Sequence, residues 1–259
     1  MYALELNRLP TSFIDLPSAV IETIGQAPKL QIYSPHLRPL RLLQKLHRGR
    51  IRKLTLRTSS PFQLRIGKRL LVTSDNRNIP AIYRSVPRLK IRAGPAFGTG
   101  EHATTHLCLR YLTKFLTSPR SSRTTPKVLD LGCGSGILAL ACARLGAHAE
   151  GWDNDSSAIQ EAQRNRQLNR LAPRTHFRVA DALRTALPPA HLILANLYDS
   201  LLLHLLPRLE KHRKAGTGLI LSGILSGQEK QILRTAQKLG WKLQHRGRLD
   251  RWFCLQFCA

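Results

Sequence analysis

The chain has 259 residues and carries 41 Lys and Arg against 15 Asp and Glu, a formal net charge of +26 at pH 7. This length suffices for one large hydrophobic core and a smaller second unit, and the charge favours polyanions such as RNA as partners. Five cysteines without closely spaced pairs exclude a disulfide-rich secreted scaffold and predict a reducing, cytoplasmic environment.

The sequence also argues against a membrane protein. The amino terminus lacks a basic start followed by an apolar run, so no secretory signal is predicted. The most apolar segment, residues 192–206, is interrupted by polar side chains and is shorter than the ~20 residues that span a bilayer. We therefore expect a soluble protein without membrane contact.

Residues 1–70 are expected to form a small basic α+β module. No acidic residue occurs between Lys29 and Arg69. Two interpretations are open for this stretch: a docking surface for a substrate, RNA or an acidic surface, or an ordinary solvated face. Residues 71–93 follow as a predicted linker with short strands, including Leu70–Val72 and Ala81–Tyr83, and residues 94–259 as the main domain.

The first motif of the main domain is a glycine-containing turn within Gly94–Thr105. Its turn residues are Phe97, Gly98, Thr99 and Gly100. A helix is predicted from Glu101 to about Leu116, because an acid in the first turn suits the positive end of a helix. His102 and His106 lie one helical turn apart, but no third ligand is placed by the sequence, so no metal site is predicted. A surface or substrate-facing role is expected for them instead.

The second motif, Val128–Leu140, reads as a buried strand, a glycine loop and an apolar helix. A dinucleotide fingerprint would place a glycine at Ile137, so this loop is open to a ligand that lies across it. The motif resembles the first motif of class I S-adenosylmethionine-dependent methyltransferases. The resemblance implies S-adenosylmethionine as cofactor, bound by Asp130, Gly132, Gly134 and Gly136.

Further strands are predicted to end in polar side chains at the same edge of the sheet. Ala147–Asp153 ends in an acid about 20 residues after the loop, a position that reaches ribose hydroxyls. Asp155 is predicted to be the N-cap of the next helix, which carries Ile159, Ala162 and Leu168 on one side. Downstream, Ser226 is predicted to cap the last helix in a capping box with Glu229, before a closing β-hairpin.

Three segments together resemble the signature segments of the ribosomal protein L11 methyltransferase (PrmA) family. They are Gly94–Thr105, Leu194–Tyr198 and Leu221–Leu225, and they occur in the family's order. The resemblance implies an α/β fold of class I methyltransferase type, with a Rossmann-like seven-stranded mixed sheet. It also implies methyl transfer to amino groups, at a lysine side chain or an N-terminal amine, of a large-subunit ribosomal protein. Residues 1–70 show no visible match to the family's substrate-recognition domain.

The resemblance assigns roles to further residues. The turn at residues 97–100 and the helix start would border the methionine end of the cofactor and the amine. The hydroxyls of Thr104 and Thr105 would hydrogen-bond that amine, or else only the backbone of the helix. Asp181, at the end of a strand from Thr175, would accept from the adenine amine, or else cap a helix. Asn196 corresponds to the Asn of the Asn-Pro-Pro-Tyr motif in amino-group methyltransferases. The amide oxygen of that Asn would accept a hydrogen bond from the substrate amine.

Two other classes of function remain open at this stage. The charge favours an rRNA methyltransferase, whereas the sequence Asn196-Leu197-Tyr198 and the Phe97–Thr105 segment argue against one. A methyltransferase-like binding protein without catalysis is the other alternative. This alternative is disfavoured because a scaffold would not require the complete set of acids, loop glycines and amide. The set consists of Asp130, Gly132, Gly134, Asp153 and Asn196.

Overall fold

The chain folds into two units, Met1–Ser59 and Ser60–Ala259, in a computed structural model. The structure describes residues 2–6, 18–21, 29–34, 41–45, 49–53, 62–75, 79, 81–92, 102–118 and 125–259. The division falls ahead of the boundary at residue 70 that the sequence suggested.

The first unit contains a four-stranded antiparallel sheet in the order β2-β3-β1-β4 and a short helix, α1, at 41–45. Its strands are β1 (Tyr2–Leu6), β2 (Ser18–Ile21), β3 (Lys29–Ser34) and β4 (Gly49–Lys53). Leu4 of the central strand pairs with Ile32 on one side and Ile51 on the other. Apolar positions of three neighbouring strands are therefore paired across the middle of this sheet, and paired positions share one face.

The second unit begins with a small sheet of β5 (Gln63–Ile66), β6 (Leu70–Thr73) and β7 (Arg88–Lys90). β5 and β6 form an antiparallel hairpin, whereas β7 runs parallel to β6. The strand predicted at Ala81–Tyr83 is wrong, because these residues form a 3-10 turn. The N–H of Arg84 donates to the carbonyl of Ala81, so this stretch forms a turn within the connection from β6 to β7 instead of pairing with a strand.

A seven-stranded mixed sheet forms the rest of the unit, as predicted, in the order β10-β9-β8-β11-β12-β14-β13. β14 runs antiparallel to both of its neighbours, which gives the predicted closing hairpin. The strands are β8 (Lys127–Leu131), β9 (His148–Asp153), β10 (Thr175–Val179), β11 (Leu192–Asn196), β12 (Gly218–Leu225), β13 (Lys242–Leu249) and β14 (Trp252–Cys258).

Within the described residues, five helices cover the two faces of this sheet. They are α2 (Ala103–Leu116), α3 (Ile137–Arg144), α4 (Ser156–Leu168), α5 (Asp199–Glu210) and α6 (Glu229–Lys238). Alternation along β8 divides the core, because Val128 packs in the cluster that contains α2 and α3, and Leu129 packs in the cluster that contains α5 and α6. Asp130 follows the same alternation and therefore faces α3. None of the helices in the described parts of the chain is long and apolar enough to cross a membrane.

Two details of the helices differ from the sequence predictions. Leu168, predicted on the apolar side of α4 with Ile159 and Ala162, is 41% exposed, whereas the other two are buried. The predicted N-cap at Ser226 is wrong, because α6 begins only at Glu229. The Glu229 carboxylate does accept from a backbone N–H ahead of the helix, but that N–H belongs to Gly227. Glu229 therefore fixes the turn ahead of α6 and does not cap the helix itself.

Candidate active site

Four parallel strands bring the predicted site residues to one edge of the sheet. β10, β9, β8 and β11 are neighbours in that order and run in the same direction. Their carboxyl ends carry Asp181, Asp153, the loop after Asp130, and Asn196, respectively. The chain order reverses at β8, because β9 lies on one side of it and β11 on the other. Ligands of open α/β sheets bind at such a point.

The glycine loop after β8 is fixed by its backbone. Gly132, Gly134 and Gly136 all have positive φ, at 72°, 52° and 78°. The N–H groups of Gly132 and Cys133 both donate to the carbonyl of Trp152 on β9, at 2.8 and 2.9 Å. A Cβ at Gly132 would collide with Leu197 Cδ2. This position therefore requires glycine both for its left-handed backbone and for the close approach of the segment that follows β11.

Asp153 closes the loop from the end of β9. Its Oδ2 accepts from the N–H of Gly134 at 2.9 Å, and its Oδ1 accepts from the N–H of Asp155 at 3.0 Å. Partial burial raises the pKa of the Asp153 carboxyl, and these backbone hydrogen bonds oppose that rise. Each oxygen keeps acceptor capacity beyond its one bond. Asp155 is confirmed as the N-cap of α4, since its carboxylate accepts from the N–H of Ser157 at 2.8 Å.

Asp130 lies behind the loop, at 1% exposure. Its Oδ2 accepts from the N–H of Ala139 in the first turn of α3, at 3.0 Å, and its Oδ1 has no partner among the described residues. Burial, together with the charge of Asp153, raises the pKa of Asp130 to about 7, although the bond from Ala139 opposes the rise. The geometry gives Asp130 a supporting position beneath the loop.

A hydrogen-bonded chain of three side chains joins β11 to the start of α2. Asn196 Nδ2 donates to Thr104 Oγ1 at 3.2 Å, and Thr104 Oγ1 lies 2.8 Å from His102 Nδ1. The backbone N–H of Thr104 also donates to His102 Nδ1, so that ring nitrogen carries no proton and the Thr104 hydroxyl donates to it. Burial, and to a lesser extent the charge of Arg251, lowers the pKa of His102, which favours this neutral form.

His102 is a site residue that the sequence prediction assigned to a surface or substrate-facing position. It is the N-cap of α2, and its Nδ1 accepts from the N–H of Thr104 at 3.4 Å. The predicted helix start at Glu101 is therefore wrong, because α2 begins at Ala103. The signal in the sequence is a polar residue two positions before Thr104, since an N-cap accepts from the N–H of N2. Thr105 is buried on α2, and none of the described hydrogen bonds joins it to Thr104 or Asn196.

The polar groups of Asp181 are engaged locally. Its Oδ1 accepts from the N–H of Leu183 at 2.8 Å, and its Oδ2 lies 3.4 Å from Arg184 Nε. These contacts are those of a cap on the turn after β10, and the contact with adenine stays a prediction. The predicted turn residues Phe97, Gly98, Thr99 and Gly100 lie outside the described residues.

Aromatic side chains and a further glycine complete this edge. The ring of Trp252 on β14 meets the ring of His102 edge-on, with centroids 4.8 Å apart. Tyr198, directly before α5, is 60% exposed. Gly223 of β12 has φ of 85°, and a Cβ there would collide with the carbonyl oxygen of Leu197. The glycine lets the chain after Asn196 cross β12 in close contact, which explains its presence in the third signature segment.

Comparisons with known proteins identify the family. The family model described as ribosomal protein L11 methyltransferase (PrmA) matches residues 58–259. The chain is 35% identical over 169 residues to the ribosomal protein L11 methyltransferase of Desulfitobacterium hafniense. This match covers 65% of this chain and 52% of the relative. The chain is 37% identical over 181 residues to that of Chromohalobacter salexigens, covering 70% and 58%, respectively. The chain thus matches little more than half the length of these relatives.

A solved structure shows the same fold. The ribosomal protein L11 methylase of Lactobacillus delbrueckii subsp. bulgaricus is similar with a TM-score of 0.61 and 23% identity, over 76% of this chain and 98% of that one. The family model covers the glycine loop, the acids of β8 and β9, and the Asn196 hydrogen-bonded chain. The resemblance seen in the sequence is therefore confirmed, and the chain belongs to the ribosomal protein L11 methyltransferase (PrmA) family.

Proposed function

We propose that this protein transfers the methyl group of S-adenosylmethionine to an amino group of a large-subunit ribosomal protein, at a lysine side chain or an N-terminal amine. The observation that carries the proposal is the hydrogen-bonded chain Asn196–Thr104–His102, at the same sheet edge as the glycine loop. Family membership supports both the reaction and the substrate class. The matched region, residues 58–259, contains all three side chains.

The residues of the loop fit the proposed cofactor. Asp153 offers two carboxylate oxygens with spare acceptor capacity for ribose hydroxyls, beside backbone that only glycine adopts readily. Gly132, Gly134 and Gly136 would hold the cofactor with Asp153, Asp181 would accept from its adenine, and residues 97–100 would border its methionine end. Asp130 would hold the loop in place from below through Ala139. Bound there, S-adenosylmethionine supplies an activated methyl group on a sulfonium centre.

The role of Asn196 follows from the direction of its hydrogen bond. Because its Nδ2 donates to Thr104, its amide cannot turn over without losing that bond, and Oδ1, which no other described side chain bonds, is left as the acceptor. Oδ1 would accept an N–H of the substrate amine and so orient the nitrogen lone pair. Orientation of a reacting group is a large source of rate acceleration in enzymes.

The substrate amine must reach the site without a proton. A lysine amine has an ordinary pKa of about 10.4 and an α-amine about 8, so both are largely protonated at neutral pH. Desolvation of the amine against the Tyr198 ring, which is exposed beside Asn196 in the sequence, would favour the neutral amine because burial disfavours charge. Asn196 Oδ1 would orient that amine. His102 and Thr104 serve as positioning residues, since they hold the amide and do not face the amine directly.

Two further proposals concern the partners and the compartment. The basic first unit, which lies outside the family match, would dock the substrate or contact RNA or an acidic surface. All five cysteines are free thiols in the structure, which supports a cytoplasmic location.

The test is a methyl-transfer assay with tritiated S-adenosylmethionine, the purified protein and separated ribosomal protein fractions, with and without nuclease. Label in one small, nuclease-resistant protein band is the expected result. Label that disappears on nuclease treatment would identify an rRNA methyltransferase instead. Cofactor binding without any label in either fraction would indicate a binding protein that lacks catalysis.

A further inference from the structure

A second concave site lies in the 60–259 unit, between β7 and the carboxyl-terminal ends of α3 and α4. This cavity has a volume of about 490 Å³. Five cationic side chains line it: Arg84, Arg88, Lys90, Arg144 and Arg170. No acidic residue is among the described residues that line it. We name it the basic cavity, and we propose that it binds the sugar–phosphate backbone of a single-stranded RNA segment.

The basic cavity is separate from the candidate active site. The active site lies at the amino-terminal end of α4, where Asp155 is the N-cap, and the cavity lies at the other end, where Asn169 is the C-cap. A helix rises about 1.5 Å per residue, so these two caps are about 21 Å apart. RNA bound in the cavity would therefore leave the active site open to a protein substrate.

The floor of the cavity is held by buried amides. Asn169, at 7% exposure, accepts from the N–H of Lys90 at 2.8 Å and donates to the carbonyl of Lys90 at 2.6 Å. Asn165, fully buried one turn earlier on α4, accepts from the N–H of Arg92 at 3.0 Å. Arg144 Nη2 donates to the carbonyl of Asn169 at 2.9 Å. β7 and the ends of both helices are thus fixed relative to one another, and the cavity is a built feature of the fold.

The positive charge of the cavity is largely uncompensated. The ion pairs among the described residues involve Arg164, Arg178, Arg184 and Arg246, and none includes a cation of the cavity. The carboxyl-terminal ends of α3 and α4 contribute about half a negative charge each, or about −1 together. Against five cations this leaves about four positive charges in one concave site. A ligand with several closely spaced negative charges is needed to neutralise them.

The chemistry of the lining favours RNA over other polyanions. Four of the five cations are arginines, whose planar guanidinium matches phosphate oxygens in a two-pronged contact. Leu168, the exposed apolar residue at the end of α4, also lines the cavity and offers a surface on which a base can lie. Phosphates along a single strand can each meet a separate cation of the lining, and a base beside them can contact Leu168.

The experiment measures binding of a fluorescein-labelled oligouridine to the full chain by anisotropy, at several salt concentrations. The cavity variant carries Arg84→Gln, Arg88→Gln and Arg170→Gln, all at exposed positions. The matched control carries Lys230→Gln, Lys238→Gln and Lys242→Gln, also exposed and equal in charge lost. Circular dichroism melts of both variants confirm that they are folded.

If the cavity holds the strand, the cavity variant binds the oligouridine about 10- to 100-fold more weakly at low salt. The slope of the logarithm of its binding constant against the logarithm of salt concentration becomes shallower by up to about 2, at about 0.7 per lost phosphate contact. The control then stays close to the unmodified chain. Equal weakening of both variants would overturn the proposal, because it would indicate diffuse attraction to net charge. An oligoglutamate of equal charge that competes as well as unlabelled oligouridine would also overturn it, in favour of an acidic peptide site.

Discussion

The amide of Asn196 at the end of β11 donates to the hydroxyl of Thr104 in the first turn of α2, 92 positions earlier in the sequence, at 3.2 Å. This bond fixes which end of the amide faces away from α2. The sequence motifs name both residues, but only the fold shows that one orients the other.

Thr104→Val tests this relationship. The substitution keeps the shape of the side chain and removes the hydroxyl, so Asn196 Nδ2 loses its acceptor and the amide can turn over. We expect kcat for methyl transfer to fall about 10- to 100-fold, which corresponds to the loss of one oriented polar contact. The dissociation constant for S-adenosylmethionine, measured by calorimetry, should stay within error. Thr104→Ser restores a hydroxyl at the same place and should recover most of the rate, whereas a Ser variant as slow as Val would contradict the role.

His102 provides a prediction about pH. Its pKa is lowered by burial and by Arg251, so in the acidic range just below its ordinary value of 6.5 the unfolded chain binds more protons at this residue than the folded chain does. The contribution of His102 to the free energy of unfolding therefore rises with pH across that range, and the bond from Thr104 to Nδ1 is lost when the ring is protonated. His102→Asn keeps an N-cap oxygen but does not titrate. Thermal melts between about pH 5 and pH 7 should show a weaker pH dependence in this variant. Identical pH profiles would show that His102 does not titrate as we infer.

The regular elements of the main domain followed from the sequence because their signals are local. The Val128–Leu140 pattern of a strand, glycines and an apolar helix corresponds to β8, its loop and α3. The Ala81–Tyr83 strand failed because three apolar residues suit a turn as well as a strand, and the backbone bonds that decide between them form only in the fold. The cap role of His102 was missed although its bonds to Thr104 are local, because Glu101 suggested a helix start two residues too early. Its contact with Trp252 is set by the packing of β14 against α2.

Gly132→Ala tests the close approach between the loop and Leu197. The variant places a Cβ against Leu197 and forces a side chain onto a backbone with φ of 72°. We expect the free energy of unfolding to fall by about 2 to 5 kcal/mol, from left-handed backbone strain and overpacking together. Gly67→Ala is the control, because Gly67 has φ of 53° and no atom within 4 Å of an added Cβ. The free energy of unfolding of this control should fall only by the cost of the left-handed backbone, about 1 to 2 kcal/mol. Urea unfolding of both variants measures the difference, and equal losses would contradict a tight contact at Gly132.

Asp130 is the buried acid whose cost to the fold can be measured. Its pKa of about 7 in the folded chain exceeds its ordinary value of 3.8, so between these values the folded chain binds more protons at this residue than the unfolded chain. The contribution of Asp130 to the free energy of unfolding then falls as pH rises through this window, by on the order of 3 to 5 kcal/mol in total. Asp130→Asn keeps an acceptor for the N–H of Ala139 and removes the titration.

Urea unfolding of this variant, from about pH 5 to about pH 8, should therefore show a smaller loss of stability than the unmodified chain. The difference should persist at about 0.5 M salt, because the cause is burial and not a screened surface charge. An unchanged pH dependence would mean that Asp130 is ionised at little cost in the folded chain. In that case a donor to the unpaired Oδ1 would be needed to stabilise the ionised carboxylate. Asp130 would then support the loop through its charge instead of through its hydrogen bond to α3.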